Sequence, residues 1–237
     1  MPRSKLYNEL IAGRSVFDWA FLAAGLSVQV VVFAFTDAGW LSVVSGLAGI
    51  VSVILCSQGK ISTFFFGFIQ IATYLYLSLV ARLYAEVGIN VFYLLSQFYG
   101  IWLWRKHYDA ATATSEATAG VGLQSRSLRL RVFSLIMLLT LAAAALTGYA
   151  LRLWTDDSQP WLDAFTTVPA IVAQVLMVMA YREHWYIWLM IDVLAVAMWL
   201  RAGDWCLAAQ YAFWCANCLY GLHKWRNSSI NMQKINK

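Results

Sequence analysis

Eight apolar runs follow one another along this chain, at about 17–36, 40–57, 62–80, 88–104, 132–151, 163–180, 186–200 and 205–223. A hydrocarbon layer of ~30 Å takes about 20 helical residues to cross, which is close to the length of most of these runs. Inside such a layer no water satisfies an open backbone, so the runs have to be helices, each closing its own hydrogen bonds. Of the 237 residues, 61% are hydrophobic and 12% charged, with a mean hydropathy of +0.63. A soluble domain carries about 25% charged residues. The fold class expected is therefore all-α integral membrane, with eight transmembrane helices.

The net charge of +5 follows topology rather than a nucleic-acid partner. Fourteen of the seventeen Lys and Arg fall in the N-terminus, 58–61, 105–131, 181–185 and the C-terminal tail, whereas the opposite loops hold only Arg82, Arg152 and Arg201. Basic residues accumulate on the cytoplasmic side, facing an anionic leaflet. Both termini are thus expected in the cytoplasm of a multi-pass protein of the cell (inner) membrane. The first run follows Arg3, Lys5 and Arg14 as a signal peptide would, but it is too long, and no small-x-small site precedes Asp37. It is expected to stay as a helix. The four cysteines, at 56, 206, 215 and 218, lie within or at the edges of runs and form no disulfide framework.

Shifting the sequence by 121 positions brings two stretches into register without a gap. Trp40-Leu41 falls on Trp161-Leu162, Ile50-Val51 on Ile171-Val172 and Phe92 on Phe213. At the far end Tyr99-Gly100-x-x-x-Trp104-Arg105 matches Tyr220-Gly221-x-x-x-Trp225-Arg226. The match predicts two units, 40–106 and 161–227, of three spans each. Three is odd, so the span at 132–151 restores a common orientation and makes the repeats parallel, as in SWEET-like transporters. The arrangement expected is an extra N-terminal helix (17–36) followed by 3+1+3. The segment 109–124 is rich in Ala, Thr, Ser and Gly and reads as a flexible linker.

Twelve Asp and Glu occur, and Asp192 alone sits near the middle of a run. A carboxylate there costs ~2.5–3.5 kcal/mol on insertion scales unless it faces a polar interior. Trp185, Trp188, Asp192, Ala195 and Trp199 share one helical face by their spacing. Indoles flanking a buried acid suit a flat cationic ring, through face stacking and charge pairing. A structural acid that bonds a neighbouring helix, or is protonated, is the plainer alternative. In the fourth run Asn90, Tyr93, Gln97, Gly100 and Trp104 form a second stripe; the eighth has Tyr211, Trp214 and Cys218, with Gln210 and Asn217 one place off. Gly67, Gln70 and Tyr74 form a weaker one. Single amides often only tie membrane helices together, for about 0.6–2 kcal/mol, but their concentration in equivalent runs favours a polar path. Pro169 removes a helical hydrogen bond and is a candidate hinge for gating, with Gln174 about a turn further on. Cys215-x-x-Cys218 has no second pair and His223 lies off zinc spacing, so soft packing is the better reading and no metal site is expected.

The arrangement Trp185-x-x-Trp188-x-x-x-Asp192, with the repeated Y-G-x-x-x-W segments and the 3+1+3 plan, resembles the Pnu-type vitamin transporters over roughly 40–227. The resemblance implies facilitated diffusion of an unphosphorylated vitamin precursor, nicotinamide riboside in the best-known members. A cytoplasmic kinase then traps it. No cofactor is implied, and the partners are the small-molecule substrate, the bilayer and that kinase, with self-association left open. Trp185, Trp188 and Asp192 carry over as substrate contacts on the motif. Asn90, Tyr93, Gln97, Gln70, Trp214 and Asn217 rest on the stripes alone. The motif's last position takes Asn or Asp. The acid here also suits the thiazolium of thiamine, and relatives are thought to carry thiamine or riboflavin. A proton-coupled carrier with Asp192 titrating is a further alternative. A membrane-embedded enzyme is disfavoured because His107, His184 and His223 all sit at run ends.

Overall fold

A computed structural model describes residues 7, 11, 14–36, 39–82, 84–114, 123, 125–156 and 159–235. Eight long helices account for nearly all of the described residues: α1 Val16–Ala34, α2 Trp40–Ser57, α3 Thr63–Val80, α4 Tyr84–Thr114, α5 Leu130–Trp154, α6 Pro160–Val178, α7 His184–Ala202 and α8 Trp205–Ile235. Six of them, all but α4 and α8, are long and apolar enough to cross a membrane. The other two carry the stripes with Asn90 and Gln97 and with Asn217, which lower their hydropathy.

Local chemistry sets the ends. The Ser15 hydroxyl accepts from the Asp18 N–H while the Asp18 carboxylate accepts from the Ser15 N–H, a capping box that starts α1. Pro160 opens α6, where its missing N–H costs nothing. Gly203, at φ +78°, ends α7 in the left-handed conformation.

Among the described residues, those with positive φ fall in two pairs 121 positions apart: Gly59 with Ala180, and Arg82 with Gly203. Around the first pair the backbone bonds recur as well. Gly59 N–H donates to Cys56 O and Lys60 N–H to Leu55 O; Ala180 N–H donates to Met177 O and Tyr181 N–H to Leu176 O, all at 2.9 Å. One turn geometry has thus been built twice, once with the glycine that a left-handed position favours and once without it.

Helix contacts close a ring in the order α2–α3–α4–α6–α7–α8 and back to α2. Outside it, α1 lies against α2 and α8, and α5 packs on α6. In α5 only Thr140, Ala144 and Gly148 are buried, the last with its Cα facing the Trp161 ring. Small residues are what let membrane helices approach closely.

The expected linker over 109–124 begins as helix, because α4 continues to Thr114. Positions 115–122 and 124 lie outside the described residues. Leu123 is buried on the Gly59 turn, and Arg126 pairs with the backbone of Ala180 and Arg182, so the end of the segment ties down both turns.

Candidate functional site

Asp192 sits in the middle of α7, 8% exposed, and points towards α8. There the Cys218 thiol donates to its Oδ2 at 3.4 Å. Tyr211 and Cys215, on the same helix, lie within electrostatic reach of the carboxylate. One oxygen of the acid is thus engaged by a weak donor. A carboxylate held off water in this way is a strong attractor for a cation.

The two tryptophans of the motif have different surroundings. Trp185 is 2% exposed, in a core cluster with Cys56, Phe64, Trp104, Cys218 and Trp225. Its ring lies 4.3 Å from that of His184 and edge-on to Trp225 at 5.9 Å, and its indole N–H is buried without a hydrogen-bond partner. Trp188 is half-buried and packs against both core clusters, one of which also holds Ile187 and Ile191. The exposure of Trp188 matches that of a stacking surface; the position of Trp185 suits support of that surface.

The polar stripes divide among the seams of the ring. Gln97 is buried with its amide over the Cα of Gly67 on α3. Gln70 turns the other way, onto Gly49 of α2, and the Ser45 hydroxyl donates to the Gln70 backbone carbonyl. Gln174 on α6 donates to Ser96 Oγ on α4 at 2.8 Å. Asn90 spends its amide N–H on Glu86 O in its own helix, and Tyr93 is half-buried beside Phe92. Trp214 is half-buried next to Phe213. Asn217 is fully buried, and neither of its amide atoms has a partner. Pro169 is buried in a helix that continues unbroken through it.

A second buried acid escaped the sequence reading. Asp18, 2% exposed, accepts a hydrogen bond from the Tyr220 hydroxyl and forms an ion pair with Lys224 at 3.1 Å, which pins α1 to α8. Only the Ser15-x-x-Asp18 capping pattern signalled it. Burial pulls the nearby Arg14 guanidinium below its ordinary value, while Asp18 and Tyr220 act to raise it. A groove of about 540 Å³ opens beside this network, lined by Phe17, Phe21, Leu219, Tyr220 and Lys224 among others, and it does not reach Asp192. At the far end of the ring, burial and the neighbouring Asp163 carboxylate push the Glu86 carboxyl above its usual range.

Apolar helices long enough to cross a bilayer and closed in a ring define a multi-pass membrane protein. The family model described as nicotinamide mononucleotide transporter matches residues 39–227, and the chain belongs to that family. It is 33% identical over 229 residues to the nicotinamide riboside transporter PnuC of Neisseria mucosa, covering 92% of this chain and 84% of that one. To the protein of the same name in Haemophilus influenzae it is 29% identical, over 94% and 95% of the two chains. Among solved structures it matches the crystal structure of the vitamin B3 transporter PnuC, with a TM-score of 0.78 and 30% identity over 97% of this chain and 99% of that one.

Proposed function

We propose that this protein carries nicotinamide riboside into the cell by facilitated diffusion, and that a cytoplasmic kinase then traps it by phosphorylation. The relatives it resembles over nearly their whole length are named for that substrate. The observation that carries the reading to this chain is Asp192, a mid-helix acid in the ring with Trp188 one turn away. Nicotinamide riboside is a flat pyridinium cation joined to a neutral ribose. A desolvated carboxylate beside an indole face matches its ring, and amides match its hydroxyls. Asp192 and Trp188 would bind the pyridinium, with Trp185 behind them, while Gln97, Tyr93, Asn90, Gln70, Trp214 and Asn217 line or support the path.

The topology that fits this role has eight spans with both termini in the cytoplasm. The helix α1 and then two three-helix units, α2–α4 and α6–α8, are joined by α5 in a 3+1+3 SWEET-like plan. The paired turns 121 positions apart and the order of the ring support it. Thiamine shares the cationic ring and is the second reading that Asp192 favours.

The test is uptake of labelled nicotinamide riboside, thiamine and riboflavin into proteoliposomes without any gradient. Nicotinamide riboside should equilibrate faster than in empty vesicles, and Asp192→Asn should slow the cationic vitamin more than neutral riboflavin. Equal loss for both would make Asp192 structural, and no carrier-dependent uptake of any of the three would sink the reading. Uptake driven by an imposed pH step would instead favour proton coupling.

A further inference from the structure

The repeated Y-G-x-x-x-W segments lie at one end of the ring, beside the paired turns, and form a crossed structure. On α4, the Trp104 indole N–H donates to Val178 O at 3.1 Å, at the end of α6. On α8, the Trp225 indole N–H donates to Cys56 O at 3.0 Å, at the end of α2. Each unit's last helix therefore holds the first helix of the other unit. The contacts run along the α4–α6 and α8–α2 seams, where the triplets α2–α4 and α6–α8 meet in the ring. The two indoles touch edge-to-face, with centroids 5.8 Å apart, and both are essentially inaccessible, at 0% and 2% exposure.

The glycines of the segments explain how this is built. A Cβ on Gly221 would stand 2.5 Å from the Trp185 ring, and one on Gly100 would meet Phe64 in the same way. Their absence lets an aromatic from another helix of the same unit lie on the last helix, and Trp104 and Trp225 then stand edge-on to Phe64 and Trp185. Cys56 lies within this aromatic layer, and Cys218, deeper along α8, touches Asp192. Trp225 is seven residues beyond Cys218 on α8, about 10 Å along a helix. A molecule held at Asp192 can leave by this end only if the indoles part.

We propose that Trp104 and Trp225 are the gate residues at this end, the cytoplasmic side in the topology proposed above, and that their crossed N–H bonds set how often it opens. Each bond is a neutral one to a helix-end carbonyl, which water can take over once the seam opens. The pair thus closes a path without locking it. The gate rests on the proposed transport function, but its test does not use substrate.

Trp104→Phe and Trp225→Phe keep an aromatic ring and remove the N–H. In the detergent-solubilised full chain, the rate at which N-ethylmaleimide modifies Cys218, beside Asp192 and behind the gate, and Cys206, at the far end of α8, is read by peptide mass mapping. Losing one hydrogen bond of typical net strength should raise Cys218 modification about five- to tenfold and leave Cys206 unchanged. An unchanged Cys218 rate overturns the proposal. A rise at both cysteines also overturns it, because the indoles would then be general packing. If one variant fails to fold, the other tests the same claim from the opposite seam. Failure of the parent protein to take up nicotinamide riboside would count against the substrate and leave this readout intact.

Discussion

Substituting Gly221 with alanine is expected to destabilise the protein through a single contact. An added Cβ would lie 2.5 Å from Cε2 and Cζ2 of Trp185, whereas carbon atoms rest at about 3.5–4.0 Å, an overlap of about 1 Å. Trp185 has nowhere to go. It is 2% exposed, with the fully buried His184 ring 4.3 Å away and Trp225 on its edge. Either the indole leaves its rotamer or α7 and α8 separate, at about 1–3 kcal/mol and towards the upper end for a clash with a rigid ring. Alanine returns about 1 kcal/mol in helix propensity, which leaves a net loss of about 1–2 kcal/mol. At about 2–4 °C per kcal/mol for a chain of this size, the midpoint of thermal unfolding in detergent should fall by about 5 °C. Gly88 supplies the control, because it lies in α4 with open space for 4 Å around the point where a methyl would stand. Gly88→Ala keeps only the propensity gain and should raise the midpoint by about 2–4 °C. Opposite signs at two helical glycines are the signature of the contact. If both variants shift the same way, or Gly221→Ala is as stable as the parent, the packing account of Trp185 is wrong.

Two other perturbations test the frame around the site. Gly59, at φ +65°, also has its missing Cβ 3.1 Å from Leu123 Cβ. Gly59→Ala should therefore lose about 1–2 kcal/mol, while Ala180→Gly, at φ +61°, relieves the same strain and should gain up to about 1 kcal/mol. Chemical denaturation of both variants reads the signs, and a neutral Gly59→Ala would remove the strain argument. Tyr220→Phe leaves Asp18, buried to 2%, short of one donor, a loss of about 1–3 kcal/mol. Amide hydrogen exchange should quicken across 16–34 while α6 and α7 keep their protection. A uniform increase over all helices would mean that the contact does not specifically hold α1.

How far the sequence could be read follows from which signals are local. The runs at 40–57 and 62–80 match α2 and α3 to within a residue, since apolar length in a bilayer depends on nothing distant. The runs ending near 104 and 223 stop short, because α4 and α8 continue to Thr114 and Ile235, where helix is favoured but hydropathy no longer marks it. Burial of Asp192 and Gln97 was legible from periodicity, whereas Asn217, also buried, stands one place off its stripe. Asp18 was not, because an acid at a run end looks like a cap, and its partner Tyr220 is 202 residues away. Cys218 read as soft packing for the same reason, since only the fold brings α8 against Asp192. The Trp104 and Trp225 motif was visible as a repeat, but the crossing of its hydrogen bonds between units is a property of the ring alone.

Positions 121 apart agree in the turns and gate indoles and differ around Asp192, and the proposed ligand gives a reason. Turns at Gly59 and Ala180, and the indoles of Trp104 and Trp225, serve the same backbone needs in both places, so the two copies share their chemistry there. Towards the centre, Gly67 opposite Gln97 is replaced by Trp188 with Cys218, a small residue facing a large one in each case with the large one exchanged. Ile71, 4% exposed, corresponds to Asp192, and the bonded pair Gln174 and Ser96 corresponds to Val53 and the unpartnered Asn217. A strictly symmetric cavity would offer the same groups to both ends of its occupant. Nicotinamide riboside has a cationic ring at one end and hydroxyls at the other, so the proposed site sets the acid and indole of one unit against Gln97 and Asn90 of the other. In the transport proposed above, the divergence of Trp188 and Asp192 from Gly67 and Ile71 would supply that polarity, and the shared turns would keep the two units alike enough to rock against each other.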